Sequence, residues 1–187
     1  MSTFQTYIAY CRNQKSLPLT ALRTVAFFAK AFILFAGVMV LCQRSLIYIP
    51  SNVMTITPQS IGATAVQYRS ADGINITSWY TAPQDGKPVI VMFHGNGGNI
   101  SWRSFKQQAF VKQGYGFMLA EYRGYGGNAG NPSENGLYDD ARAAMRWLQD
   151  HGGVLENDII ICGESLGGGI AVQMALEHRD AKALVLI

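Results

Sequence analysis

The chain has 187 residues, 49% of them hydrophobic and 14% charged, with 20 Gly, 6 Pro and 3 Cys. This composition excludes disorder and a collagen-like repeat, and it suits one globular domain joined to an unusually apolar segment. Cys11, Cys42 and Cys162 stand far apart, with no CxxC and no neighbouring His pair, so neither a disulfide framework nor a metal site is expected.

The net charge of +3 is unevenly spread. Residues 1–44 carry Arg12, Lys15, Arg23, Lys30 and Arg44 and no acidic group, while the rest of the chain has ten basic against twelve acidic groups, net −2. Nucleic-acid binding needs basic groups concentrated on the folded domain, so no nucleic-acid partner is expected. Residues 1–24 read as a basic cytoplasmic arm. Residues 25–42, VAFFAKAFILFAGVMVLC, form an 18-residue apolar run broken only by Lys30, close to the roughly 20 residues that span a bilayer as a helix. Lys30 lies near the start, where a long side chain can snorkel to the headgroups. A cleaved signal peptide fits poorly because no small-x-small site follows. A surface-lying amphipathic helix also fits poorly, because Phe27, Phe28, Phe32, Ile33, Leu34 and Phe35 cover every face. Leu41 before Cys42 argues against a lipoprotein. More basic groups precede the run than follow it, which places the domain beyond the membrane, on the non-cytoplasmic side.

Residues 43–65 read as a linker and 66–187 as an α/β domain. Val66–Arg69 and Ile74–Tyr80 are alternating β-prone runs around Ser70-Ala71-Asp72-Gly73, which predicts an antiparallel hairpin. Val89–Phe93, Gly116–Ala120, Asp158–Cys162 and Ala183–Ile187 are continuous apolar runs, as expected of parallel strands covered on both faces. Helical patterns at Ser101–Lys112, Ser133–His151 and Leu166–His178 connect them, with Pro132 and Ser133 marking a helix start and Gly152-Gly153 its end. The prediction is a hairpin leading into a mostly parallel sheet with helices on both faces.

Gly163-Glu164-Ser165-Leu166-Gly167 sits between an apolar strand and a helical run. GxSxG alone is a weak signal. At a strand-to-helix turn it fits a nucleophile elbow, where Gly163 and Gly167 clear space that a Cβ would fill, Ser165 is the nucleophile, and the amide of Leu166 faces a developing oxyanion. His94-Gly95-Asn96-Gly97-Gly98-Asn99 follows the strand Val89–Phe93. Here Gly95 frees the backbone and the amide of Asn96 offers a second oxyanion donor, whereas the absent Lys-Ser or Lys-Thr argues against a phosphate cradle. His94 reads as a structural hydrogen-bonding residue. Tyr122, Arg123 and Tyr125 read as braces of a loop beside this face, Asp139 and Asp140 as acids favoured near a helix start, and Cys162 as a packing thiol.

Together HGNGGN, Glu121–Gly126 (EYRGYG), Asn131–Leu148, GESLGGGIA and QRSLIYIPS after the apolar run resemble the α/β-hydrolase superfamily, and most closely its membrane-anchored abhydrolase-type serine hydrolases. The resemblance implies Ser165 as nucleophile, Asn96 and Leu166 as the oxyanion hole, no cofactor, and a small-molecule or lipid-like acyl substrate. Glu121 departs from the Asp usual in that family. The fold orders its triad as Ser, then Asp or Glu, then His. Downstream of Ser165 the only carboxylates and histidine are Glu177, Asp180 and His178, and a helix carries His178 out of reach, while His151 belongs at the opposite edge of the sheet from the elbow. The expectation is therefore a C-terminally incomplete hydrolase, truncated before its last strands by on the order of 60–100 residues. An inactive membrane-bound remnant and a peptidase of the same fold remain the alternatives; no oligomeric state is indicated.

Overall fold

The computed structural model describes residues 18–187. Cys11, Arg12, Lys15 and most of the expected basic arm lie outside the described residues. The chain falls into two units, Met1–Gln43 and Arg44–Ile187.

Helix α1 runs over Leu19–Ile47, 29 residues that enclose the expected 25–42 span. At 1.5 Å per residue it measures about 43 Å, longer than the roughly 30 Å hydrocarbon layer of a bilayer. It carries no acidic residue in its first turn, Arg44 lies in its last, and Phe27, Phe28, Phe32, Ile33 and Leu34 are all exposed. This helix is long and apolar enough to cross a membrane.

The second unit is a six-stranded sheet: β1 (Thr64–Arg69), β2 (Asn75–Thr81), β3 (Val89–Phe93), β4 (Gly116–Ala120), β5 (Ile159–Gly163) and β6 (Ala183–Leu186). Their spatial order is β1-β2-β4-β3-β5-β6. β1 and β2 form the expected antiparallel hairpin and β2 runs antiparallel to β4, whereas β3, β4, β5 and β6 are mutually parallel. Helix α2 (Ser104–Val111) links β3 to β4, α3 (Glu134–Asp150) links β4 to β5, and α4 (Leu166–Glu177) links β5 to β6. The region expected as one helix from Ser101 divides into a 3-10 turn at Ile100–Arg103 and then α2, because Asn99 caps the turn by accepting from the Ser101 amide. Ser133 caps α3 through the Gly136 amide, as its sequence position suggests.

The period of two along β3 explains why its run is wholly apolar. Val89, Val91 and Phe93 join the core under α3 and α4, and Ile90 and Met92 join the core on the α2 side. Both faces are covered, so neither face of β3 meets water. Asp140 departs from the expected helix-start role. It is fully buried in the second turn of α3 and holds the Arg123 guanidinium through Oδ1 at 2.8 Å and the Arg123 amide through Oδ2 at 2.9 Å. Asp72 and Ser70, from the hairpin turn, bind the same guanidinium.

Residues 48–63, expected within a linker, are fastened to the domain. Pro50 bridges Gly98, the Ser51 amide donates to the Gly98 carbonyl at 3.1 Å, and the Asn99 side-chain amide donates to the carbonyls of Ser51 and Val53 at 3.0 and 2.9 Å. This stretch is a strap over the loop that follows β3.

Candidate active site

Ser165 occupies the turn between the end of β5 and the first residue of α4, with φ +50° and ψ −113°. Among the described residues it is the only non-glycine with positive φ. Such a conformation costs about 1–3 kcal/mol and persists only where its surroundings enforce it. Here the Glu164 amide donates to the Phe93 carbonyl at 3.0 Å, the Ser165 amide to the Ile187 carbonyl at 3.0 Å, and the Ile187 amide to the Gly163 carbonyl at 2.9 Å. The turn is thus tied to both flanking strands. Its tightness explains the two glycines: a Cβ on Gly163 would lie 2.5 Å from the Gly167 carbonyl oxygen, and one on Gly167 would collide with the carbonyl oxygen of Phe93.

The loop after β3 closes against this turn. A Cβ built on Gly95 would lie 3.4 Å from both Ser165 Cβ and the Glu164 carbonyl oxygen, so the two glycine motifs meet at the Ser165 side chain. Ser165 is exposed and its hydroxyl makes no hydrogen bond among the described residues. The amides of Asn96 and Leu166 likewise meet no protein acceptor among the described residues. The reason for Asn96 is visible: its side-chain oxygen accepts from the Ile49 amide at 2.9 Å and from the Tyr125 hydroxyl at 3.0 Å, which turns the side chain into the fold. Two unpaired N–H groups beside an exposed hydroxyl can stabilise a negative oxygen, reinforced by the N-terminal end of α4.

His94 lies beneath the loop, fully buried. Its Nδ1 is 2.7 Å from the Gly95 carbonyl oxygen and its Nε2 is 2.6 Å from Glu121 Oε1. The carbonyl can only accept, so Nδ1 carries a proton, and the remaining bond to Glu121 has one proton between its two heavy atoms. The pair is therefore electrically neutral whichever of the two holds that proton. Glu121 Oε2 also accepts from the Ile100 amide at 3.0 Å, fixing the start of the 3-10 turn. Tyr122 donates its hydroxyl to the His94 carbonyl at 3.0 Å. Burial pushes the Tyr122 and Tyr125 phenols above their ordinary range, so both remain O–H donors at neutral pH. His94, Tyr122 and Tyr125 are thus hydrogen-bonded within and around this loop. The role of Glu121 was not legible from the sequence; an acid directly after the apolar run Gly116–Ala120 was the available signal, since a buried carboxylate demands a partner.

Glu164 points toward α2. Burial raises its carboxyl, but the hydrogen bond from Lys106 at 2.9 Å and the charges of Lys106 and Arg103 outweigh it and hold the group below its ordinary range. Burial pushes the Cys162 thiol up, as suits a packing residue. Among the described residues no histidine side chain hydrogen-bonds Ser165, and the His94 imidazole is taken up by the Gly95 carbonyl and Glu121. His178 caps the far end of α4, about 20 Å along the helix, and faces Glu156 Oε2 at 3.3 Å, while His151 stacks on Trp147 at the end of α3. Among the described residues no cluster of three or more His, Cys, Asp or Glu could hold a metal. An apolar cavity of about 200 Å³ lies on the α2 side of the sheet, lined by Met92, Phe110, Phe117 and Cys162; Ser165 and Asn96 do not line it.

Residues 84–187 match the family described as serine aminopeptidase, S33. A protein of Mycobacterium tuberculosis H37Rv is 38% identical over 176 residues, covering 92% of this chain and 60% of that protein. The α/β hydrolase domain-containing protein WAV2 of Arabidopsis thaliana is 30% identical over 173 residues, covering 86% of this chain and 56% of WAV2. The chain thus spans little more than half the length of these curated relatives. Among solved structures, the Pyrococcus furiosus esterase Pf2001 superposes with a TM-score of 0.61 at 19% identity, over 73% of this chain and 56% of the esterase, a likeness of fold.

Proposed function

The chain belongs to the α/β-hydrolase superfamily through the serine aminopeptidase S33 family, and from that premise we propose that the whole protein is a membrane-anchored serine hydrolase with Ser165 as its nucleophile. The observation that carries this reading is the strained Ser165 at a strand-to-helix turn, with the loop that carries the unpaired Asn96 amide packed against it. Ser165 Oγ attacks the substrate carbonyl carbon. The carbonyl π pair moves to oxygen, and the amides of Asn96 and Leu166 hold the resulting oxyanion. The hydroxyl proton passes to a histidine base and then to the leaving group as the carbonyl re-forms, leaving an acyl-enzyme that water cleaves by the same steps. Among the described residues no histidine hydrogen-bonds Ser165, His94 being held by Gly95 and Glu121, and the proposal assigns that base and its orienting carboxylate to a polypeptide of the relatives' length. Gly95, Gly163 and Gly167 supply the space, and His94 supports the loop. No cofactor enters this scheme.

The substrate class follows from α1 read as a single-pass anchor: an acyl ester, thioester or amide near a membrane. The S33 description favours a second reading, an aminopeptidase, which uses the same groups and differs in the leaving amine. Labelling with a fluorophosphonate tests the nucleophile, comparing the 187-residue chain with a chimera that continues it with the C-terminal part of the Mycobacterium tuberculosis relative. Labelling of the chimera that Ser165→Ala abolishes supports the proposal. A chimera that folds and hydrolyses neither p-nitrophenyl acyl esters nor aminoacyl p-nitroanilides, and takes no label, refutes it.

A further inference from the structure

We infer that the apolar rim beside Ser165 is a docking surface for the headgroup layer of a bilayer; this rests on the reading of α1 as an anchor. Five apolar side chains stand out on the segments bordering the loop after β3: Ile49, Val53 and Met54 on the strap and Trp102 and Phe105 opposite, exposed by 60, 71, 36, 52 and 65%. Hydrogen bonds make them one neighbourhood. Pro50 and Ser51 pair with Gly98, the Asn99 side chain holds the Val53 carbonyl, and the Thr55 amide donates to Ser101 Oγ at 3.1 Å. The Trp102 ring covers Gly98 so closely that a Cβ there would lie 2.5 Å from it, and the exposed Phe105 follows three residues later at the start of α2.

Large apolar side chains gathered on one exposed face mark an interaction site. Two observations select a membrane as the occupant. Six residues separate Cys42, the end of the apolar run, from Ile49, and even fully extended the seven steps reach only about 25 Å, so the strap cannot leave the neighbourhood of the bilayer surface. The charged groups bordering the rim, Arg103 and Lys106 against Glu164, leave an excess positive charge that suits anionic headgroups, and an exposed Trp suits the headgroup region. A rim seated there presents Ser165 to an ester or thioester of a bilayer-resident acyl lipid without drawing it fully into water.

The test uses the full chain reconstituted in vesicles of phosphatidylcholine and phosphatidylglycerol whose acyl chains carry bromine, which quenches nearby tryptophan emission. Trp79 is buried in the sheet and Trp147, on α3, packs on Tyr80, so the quenched component should belong to Trp102. The expected result is quenching in the native chain that Trp102→Phe abolishes, with both proteins retained in the membrane after carbonate extraction. Retention without Trp102-dependent quenching overturns the docking surface and leaves the anchor standing; it is the outcome given by a protein segment or a second copy seated on the rim. Release by carbonate overturns the anchor and the inference together.

Discussion

Glu121→Ala deletes the carboxylate that joins β4 to the loop carrying Asn96. In the fold it serves His94 Nε2 at 2.6 Å, the Ile100 amide at 3.0 Å and the Tyr122 amide at 3.3 Å, with Glu121 and His94 1% and 0% exposed. Alanine leaves these groups without a partner in a site that water does not reach. Removing one member of a buried pair costs about 3–5 kcal/mol. For a domain of this size that corresponds to a fall in Tm of roughly 10–15 °C. Glu121→Gln separates hydrogen bonding from charge. With the Nδ1 proton directed to Gly95, a neutral His94 presents an Nε2 lone pair, to which the Gln amide donates while its oxygen still accepts from Ile100. Only the long bond from Tyr122 weakens, so the expected cost is about 1 kcal/mol. Thermal unfolding of the chain in detergent, followed by near-ultraviolet circular dichroism, gives both values. A Glu121→Gln protein as unstable as Glu121→Ala would show that the ionised pair, rather than the satisfied donors, supports the loop. A Glu121→Ala cost under 1 kcal/mol would refute the network altogether.

Gly167→Ala forces a Cβ onto the backbone oxygens of Phe93 and His94, so β3 or α4 must move, and a loss of about 3 kcal/mol or more is expected in urea denaturation. Gly169→Ala, two residues along the same helix and facing open space, should instead stabilise the protein by about 0.5–1 kcal/mol. Arg123→Ala leaves the fully buried Asp140 with only the residue 123 amide and should cost about 3–5 kcal/mol; adding Asp140→Leu should recover part of this, measured as a double-mutant cycle. Hydrogen bonds from Arg142 hold the Glu177 carboxyl down to about 2, from an ordinary 4.5. A carboxyl depressed in the folded state stabilises fully above its unfolded value, and this contribution disappears as pH falls from about 4.5 to about 2. Both side chains are about a third exposed, so Glu177→Gln should flatten the acid limb of stability against pH by less than about 1 kcal/mol.

The parts legible in the sequence are those whose physics is local. A short, wholly apolar run such as Val89–Phe93 reads as a buried strand, Ser133 reads as a cap because its acceptor serves an amide three residues on, and GESLG reads as a tight turn because a Cβ at either end has nowhere to go. The split of the expected helix after β3 was less legible, because Asn99 draws its cap from within the glycine loop and its other bonds from a strap 46 and 48 residues away. The strap reads as linker in the sequence for the same reason. Nothing in QRSLIYIPSN states that its backbone will pair with Gly98.

Glu121 shows most clearly what a linear reading lacks. His94 and Glu121 each follow directly on a short apolar run, and nothing in the intervening 26 residues links them. In the sheet, β3 and β4 are parallel neighbours with Phe93 opposite Ala120, so the next residue on each strand is His94 on one and Glu121 on the other. One step in register places an imidazole and a carboxylate side by side where neither meets water, and each becomes the partner that the other's burial requires. The Asn96 loop therefore rests on the order of two strands. A shift of one residue between β3 and β4 would turn both side chains to opposite faces and leave the unpaired Asn96 amide without its support, even with every motif residue unchanged.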